Sequence, residues 1–237
     1  MSDTHNFCLP IRELANDRVK LTPFSNHHAT PFIAQASSRP DLFSHMPMGP
    51  FSTPDAFITQ FLEKVSRPNP AWFTFAIIDK TRPPSPEDDE GELAGSIAYL
   101  DTNATHLSTE IGAIVILPKF QRTHVTTNAV GLLLQYALDG VDQGSLGLRR
   151  VQWKANSMNE ASIRTAKRLG FRMEGVLRWQ MVFPGGDEGG KIGNGQELPR
   201  GSKKGDYGRD SVILGLCWDD WEGGLREEVG KAMARTV

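Results

Sequence analysis

Between Glu110 and Gly175 three segments follow one another in an order that leaves few folds open. Glu110-Ile-Gly-Ala-Ile-Val-Ile-Leu-Pro118 is apolar and β-branched, the composition of a strand buried in a sheet. Gln121-Arg-Thr-His-Val-Thr126 is a polar turn leading into a helix. Trp153-Lys-Ala-Asn-Ser-Met-Asn-Glu-Ala-Ser162, followed by Leu169-Gly-Phe171, reads as strand, loop and second helix. Each helix must bury its apolar face on something, and the strands on either side supply it, so the chain is expected to build an α/β or α+β domain around one central sheet.

The flanking sequence extends that pattern in both directions. Arg18 to Phe24 alternates as a short strand, and helices separate it from the next one. Ser52-Thr-Pro-Asp starts a helix over 54–65 whose apolar residues at 57, 58, 61, 62 and 65 make one buried face. Trp72–Ile78 and Leu93–Leu100 read as strands joined by a proline- and acid-rich hairpin loop. Leu107–Leu117 is the next strand, Thr127–Asp139 a helix, Arg150–Ala155 a strand, and 159–169 a helix stopped at Gly170. Phe171–Phe183 and Ser211–Trp218 complete the strands. The glycine-rich connection from Pro184 to Asp210 reads as a mobile insertion, and 219–235 as an amphipathic helix that packs on the sheet or on a second subunit.

A chain of 237 residues with 39% apolar content can bury one sizeable core, which favours a single domain over 1–237 with its core at about 15–221. Twenty-six Lys and Arg against 28 Asp and Glu leave a net charge of -2, so nucleic acid is not expected as the principal ligand. No apolar stretch is long enough to cross a bilayer, no signal peptide is apparent, and Cys8 and Cys217 read as reduced thiols, so a cytoplasmic protein is expected. His27, His28 and His45 lack the spacing of a zinc site, and no metal is expected. A phosphate-binding Gly-x-x-x-x-Gly-Lys-Ser/Thr loop is absent, and Gly140 to Gly147 does not follow a strand, which argues against nucleotide triphosphates and NAD.

The order strand, Gln-containing turn, helix, strand, Asn-x-x-Ser helix, Leu-Gly-Phe resembles the GNAT superfamily of acyl-CoA N-acyltransferases. Met46-Pro-Met-Gly-Pro-Phe51, Glu174-Gly175, Arg178, and Arg209-Asp210 leading to Trp221 are similar to its ribosomal-protein N-acetyltransferase (RimJ/RimL-like) branch. The resemblance implies a mixed, mostly antiparallel twisted sheet flanked by helices, and acetyl-CoA as the acyl donor. It also implies that the turn Gln121, Arg122, Thr123, His124, Val125 and Thr126 wraps the CoA pyrophosphate. Backbone N–H groups at a helix start carry partial positive charge and can hold phosphate without a basic side chain. The chain departs from the family's Gln-x-x-Gly-x-Gly/Ala pattern at His124 and Thr126. We expect the turn to keep its free N–H groups, with Thr126 as N-cap and Arg122, Thr123 and His124 adding side-chain contacts.

Transfer to an amine needs a group that accepts a proton, donors for the developing oxyanion, and a donor to the leaving thiolate. By resemblance Glu110 is the candidate base, the N–H groups around Ile114 and Ile116 the oxyanion donors, and Ser162 the acid or hydrogen-bond donor to sulfur. Asn159 would contact the CoA arm. Residue chemistry alone equally allows Glu110 as a solvated strand-end carboxylate and Asn159 and Ser162 as local caps. Tyr99 fits the strand core and Tyr136 the apolar helix face, so both are poorer acids. The acceptor, a primary amine of a small molecule or a peptide N-terminus, should enter opposite CoA, with Phe43, His45, Met46, Met48 and Trp179 as candidate walls. A non-catalytic acyl-CoA-binding module of the same fold is the alternative, and a homodimer is compatible with either.

Overall fold

In a computed structural model describing residues 5–183, 190–203 and 205–235, the strands are β1 (Leu14–Ala15), β2 (Val19–Pro23), β3 (Phe73–Asp79), β4 (Glu92–Asn103), β5 (Ser108–Ile116), β6 (Arg150–Asn156), β7 (Arg172–Phe183) and β8 (Tyr207–Cys217). They form one sheet in the order β1-β2-β3-β4-β5-β6-β8-β7. Every neighbouring pair is antiparallel except β5 and β6, which run parallel, so the sheet is mixed and mostly antiparallel.

All seven residues of β3 are buried because helices cover both faces of the sheet there. On one face lie α1 (Asn26–Ala36) and α2 (Pro54–Phe57, continuing in π-helical turns over Ile58–Ser66). Phe24, Phe32, Phe51, Phe57 and Phe61 interlock there at ring distances of 5.2 to 6.2 Å. On the other face lies α3 (Val125–Leu138), tied down where the Tyr99 hydroxyl donates to the Leu133 carbonyl at 2.6 Å. The next helix, α4 (Glu160–Arg168), begins at Asn159, whose side chain accepts from Ser162 N, and stops before Gly170, where φ is 91°.

The chain turns out differently from the sequence reading in three places. First, α3 begins at Val125, two residues ahead of the expected Thr127, and its N-cap is His124. Secondly, β8 begins at Tyr207, four residues before the expected Ser211, because the chain pairs with β7 as far as Phe183. Of the expected mobile insertion, 184–189 and 204 lie outside the described residues, but the stretch around Lys191 is pinned. The Lys191 ammonium donates to the carbonyls of Phe43, Met46 and Met48 at 3.0, 2.7 and 2.8 Å, and Ile192 N donates to Ser44 O at 2.8 Å. Burial of that ammonium lowers its pKa to about 8. Thirdly, the expected helix over 219–235 is interrupted at Gly224, where φ is 121°, and its last part, α5 (Arg226–Ala234), packs on α3. Val229 and Met233 are buried, Met233 against Gly131 of α3, and the Trp221 indole N–H ahead of it donates to Asp139 at 2.8 Å.

What positions the site is a split in the middle of the sheet. β5 and β6 pair only from Ser108–Glu110 to Arg150–Gln152. Beyond Glu110, β5 stays with β4 while β6 stays with β8, and the two strands part. On β5 the register shifts by one residue, so that Ala113 and Ile114 together face Ile97 across the ladder, and Ala113 takes φ 48°.

Candidate active site

The split between β5 and β6 opens into a cleft of about 670 Å³, walled by β5, β6, the starts of α3 and α4, and the loop after α1. Glu110, Ile114, Ile116, Gln121, Arg122, Thr126, Asn159, Ser162, His45, Met46 and Met48 all line it. Thr123, His124, Val125, Phe43 and Trp179 do not.

Glu110 is the last residue of β5 still paired with β6, so its side chain sits at the fork. It is 5% exposed. Its Oε2 meets the Lys154 ammonium at 2.9 Å and accepts from the Gln152 amide at 3.3 Å. Its Oε1 carries no hydrogen bond among the described residues. Burial raises the Glu110 pKa, and Lys154 partly opposes that rise. Lys154 also pairs with Asp101, whose φ of 46° lies in a bulge of β4. Burial disfavours charge on Lys154, but the two carboxylates outweigh it and its pKa is raised.

Beyond the fork, β5 presents backbone to the cleft. Leu117 N donates to Ala94 O on β4. By the two-residue alternation of a strand, Ile116 N–H then points away from β4, over the gap that β6 has left. The Ile116 carbonyl on that side is held by the Gln121 amide at 3.1 Å, while its N–H stays available.

The turn into α3 is arranged differently from the sequence expectation. Its left-handed residue is Arg122, with φ 61°, whereas His124 sits in ordinary right-handed geometry at φ -66°. No glycine is therefore needed at 124 for backbone reasons. The His124 imidazole turns inward to Asp79 at 3.2 Å, Thr123 donates its hydroxyl to Phe120 O at 2.7 Å, and Val125 is core. Of the three side-chain contacts expected there, only Arg122 faces the cleft. The second and third helical residues, Thr126 and Thr127, have N–H groups that no preceding turn can satisfy, as at any helix start.

Across the cleft, Ser162 sits at the third position of α4. Its backbone N–H is capped by Asn159 at 3.0 Å, and its Oγ accepts from the Trp153 indole N–H at 2.9 Å. With Trp153 occupying an acceptor site, the hydroxyl proton is free to point elsewhere. Asn159 thus serves as the local cap, whatever else it touches.

Two expected acceptor walls lie elsewhere. Phe43 is 2% exposed and packs edge-on against Phe51, behind the loop whose other face carries Met46 and Met48. Trp179 has φ 52° in an irregular stretch of β7, which lays its ring over Gly208 and away from the cleft. Sequence reading assigned no role to Asp101, Trp153, Lys154, Met181 or Arg209. A lysine inside an otherwise buried strand motif was the one available signal for Lys154.

A profile of the acetyltransferase (GNAT) domain family matches residues 18–172, and the chain belongs to that family. N-acetyltransferase YoaA of Bacillus subtilis (strain 168), itself uncharacterized, is 32% identical over 97 residues, 41% of this chain and 51% of that protein. The match therefore spans about half the length of this curated relative. A GCN5-related N-acetyltransferase from Brucella melitensis has the same fold, with TM-score 0.74 and 24% identity over 96% of this chain and 87% of the other. Spermidine N-acetyltransferase from Vibrio cholerae, solved with CoA and spermine, aligns with TM-score 0.60 and 15% identity over 87% of this chain and 99% of the other. No described helix is long and apolar enough to cross a membrane.

Proposed function

We propose that this protein transfers an acetyl group from acetyl-CoA to a primary amine, by direct attack while both substrates are bound. The observation that carries the proposal is the fork at Glu110. A buried carboxylate with one unengaged oxygen lies beside an N–H-bearing bulged strand and opposite a serine hydroxyl with a free proton. Acetyl-CoA supplies an activated thioester carbonyl and a thiol leaving group.

Each residue group has a distinct part. The unsatisfied N–H groups of α3, with Arg122, suit the pyrophosphate. Glu110 takes a proton from the ammonium form of the acceptor, directly or through one water, so that nitrogen can use its lone pair. The Ile116 N–H, and that of Ile114 two residues earlier, suit the carbonyl oxygen as it gains charge. Ser162 donates to sulfur as the carbon–sulfur bond breaks. CoA in the similarly folded spermidine acetyltransferase supports the choice of donor. The RimJ/RimL-like branch reading rests on the resemblance of Met46–Phe51, Glu174-Gly175, Arg178 and Arg209-Asp210 leading to Trp221. Both cysteines are free, which suits the reducing cytoplasm.

The test is an assay of free thiol release from acetyl-CoA with a panel of amines, checked by mass spectrometry of the N-acetyl product. Acetyl-CoA binding without turnover of any amine would instead favour the non-catalytic acyl-CoA-binding reading.

The ion pair at the fork makes a further prediction about pH. In Lys154→Met the Glu110 carboxylate loses the charge that opposes its burial, so its pKa rises further. A base must be deprotonated to act, so the acidic limb of kcat/KM should move to higher pH, by about 1–2 units. An unmoved limb would remove Glu110 from the titration.

A further inference from the structure

Arg209 is 6% exposed, lies on β8 opposite Met181 of β7, and lines the same cleft as Glu110. Its one hydrogen-bond acceptor among the described residues is the Met181 sulfur, at 3.3 Å, and its Nε is buried with no partner. The guanidinium also lies 5.9 Å from the Phe183 ring centre. A sulfur and a ring face are weak partners for a group with five N–H donors. Burying a cation with so little compensation is costly, and the usual resolution is an anion in the same pocket. Glu110 is near enough for each group to influence the other's ionisation, but it makes no hydrogen bond to Arg209.

We propose that Arg209 binds a carboxylate carried by the acceptor, so that the amine acetylated here belongs to an amino-acid-like molecule. This rests on the acetyltransferase reading and adds the substrate class. The cleft that Arg209 lines also carries Leu42, Met46, Met48, Trp72 and Met181 in its walls, which suit an apolar side chain. A carboxylate fits better than a phosphate, because the other cations lining the cleft are committed elsewhere: Arg39 pairs with Asp41 at 2.7 Å, and Arg122 sits in the turn assigned to the pyrophosphate. Lys154 is engaged by Asp101 and Glu110, and His45, whose buried Nδ1 has no partner, has its pKa lowered by burial and by the nearby Arg209 charge. Ammonium toward Glu110 and carboxylate toward Arg209 is the complement of a zwitterion. A polycation such as spermine has nothing to offer the guanidinium.

The experiment compares three acceptors that share one apolar body: phenylalanine, phenylalaninamide and phenethylamine. The amide stands in for a peptide N-terminus. Acetyl-CoA binding is measured separately by calorimetry, so loss of the donor site is not mistaken for loss of acceptor specificity. We expect kcat/KM for phenylalanine to exceed that for phenethylamine by about 10²-fold. In Arg209→Gln that preference, read as the ratio of the two kcat/KM values, should collapse through a raised KM for phenylalanine, and Arg209→Lys should recover part of it. If turnover is undetectable, the three compounds are titrated into the CoA-saturated protein, where binding of phenylalanine alone supports the proposal. Equal or better use, or binding, of the amine or the amide by the unaltered protein overturns it. So does an Arg209→Gln variant that loses both activities alike, and so does the absence of any phenylalanine binding.

Discussion

Glu110→Gln is expected to lower kcat by about 10²–10³ near neutral pH, the usual size of a lost general base. The substitution keeps the shape of the side chain and its bond with Gln152 but removes the proton acceptor. An alkyl amine has a pKa near 10, so almost all of it is an ammonium ion at pH 7, and turnover then depends on a group that accepts the proton. As pH approaches that of the free amine the substrate deprotonates unaided, and the deficit should shrink. A deficit of the same size at pH 7 and pH 10 would show that Glu110 shapes the site without moving the proton. Burial has raised the carboxyl above its ordinary value, and the neighbouring ammonium keeps it from rising further. Glu110 is thereby a stronger base than a surface glutamate.

Ser162→Ala is expected to lower kcat by about 10- to 10²-fold, the worth of one hydrogen bond to a charged acceptor, with little change in acetyl-CoA affinity. The fold should tolerate the change, because Asn159 caps the Ser162 backbone N–H, which alanine keeps. Trp153 would lose its acceptor, a modest cost beside the cleft. The prediction is specific because thiolate exists only as the bond breaks, so an interaction with it stabilises the transition state and leaves binding alone. A raised Kd for acetyl-CoA with unchanged kcat would reassign Ser162 to holding the ground-state ligand.

Most of the elements could be read from local patterns. The apolar, β-branched run within 107–117, the apolar face of α3, the Asn159 cap and the Gly170 stop each fall where propensity and side-chain chemistry put them. The site was legible only in part. Which strands part company is decided by pairings between residues far apart in the chain, and nothing within Glu110–Pro118 records that β6 leaves it after Gln152. The left-handed positions that shape the cleft, Asp101, Ala113 and Arg122, carry no glycine to announce them. The expected contact from His124 failed because Asp79, 45 residues away, offers that imidazole a buried partner. Arg209 joins the cleft only through its place opposite Met181 in the β7–β8 ladder. Likewise the glycine-rich segment looked unanchored because its anchors are carbonyls of Phe43, Met46 and Met48, which carry no side-chain signature.

The central claim is that a GNAT cleft whose α3 turn has His124 and Thr126 in place of small residues still holds an acyl-CoA. Calorimetric titration of the protein with acetyl-CoA, repeated on Arg122→Ala, tests it most directly. The account predicts one site of micromolar affinity, weakened about 10-fold in the variant because Arg122 is the turn's one cationic side chain facing the cleft. Absence of binding to the unaltered protein would contradict it.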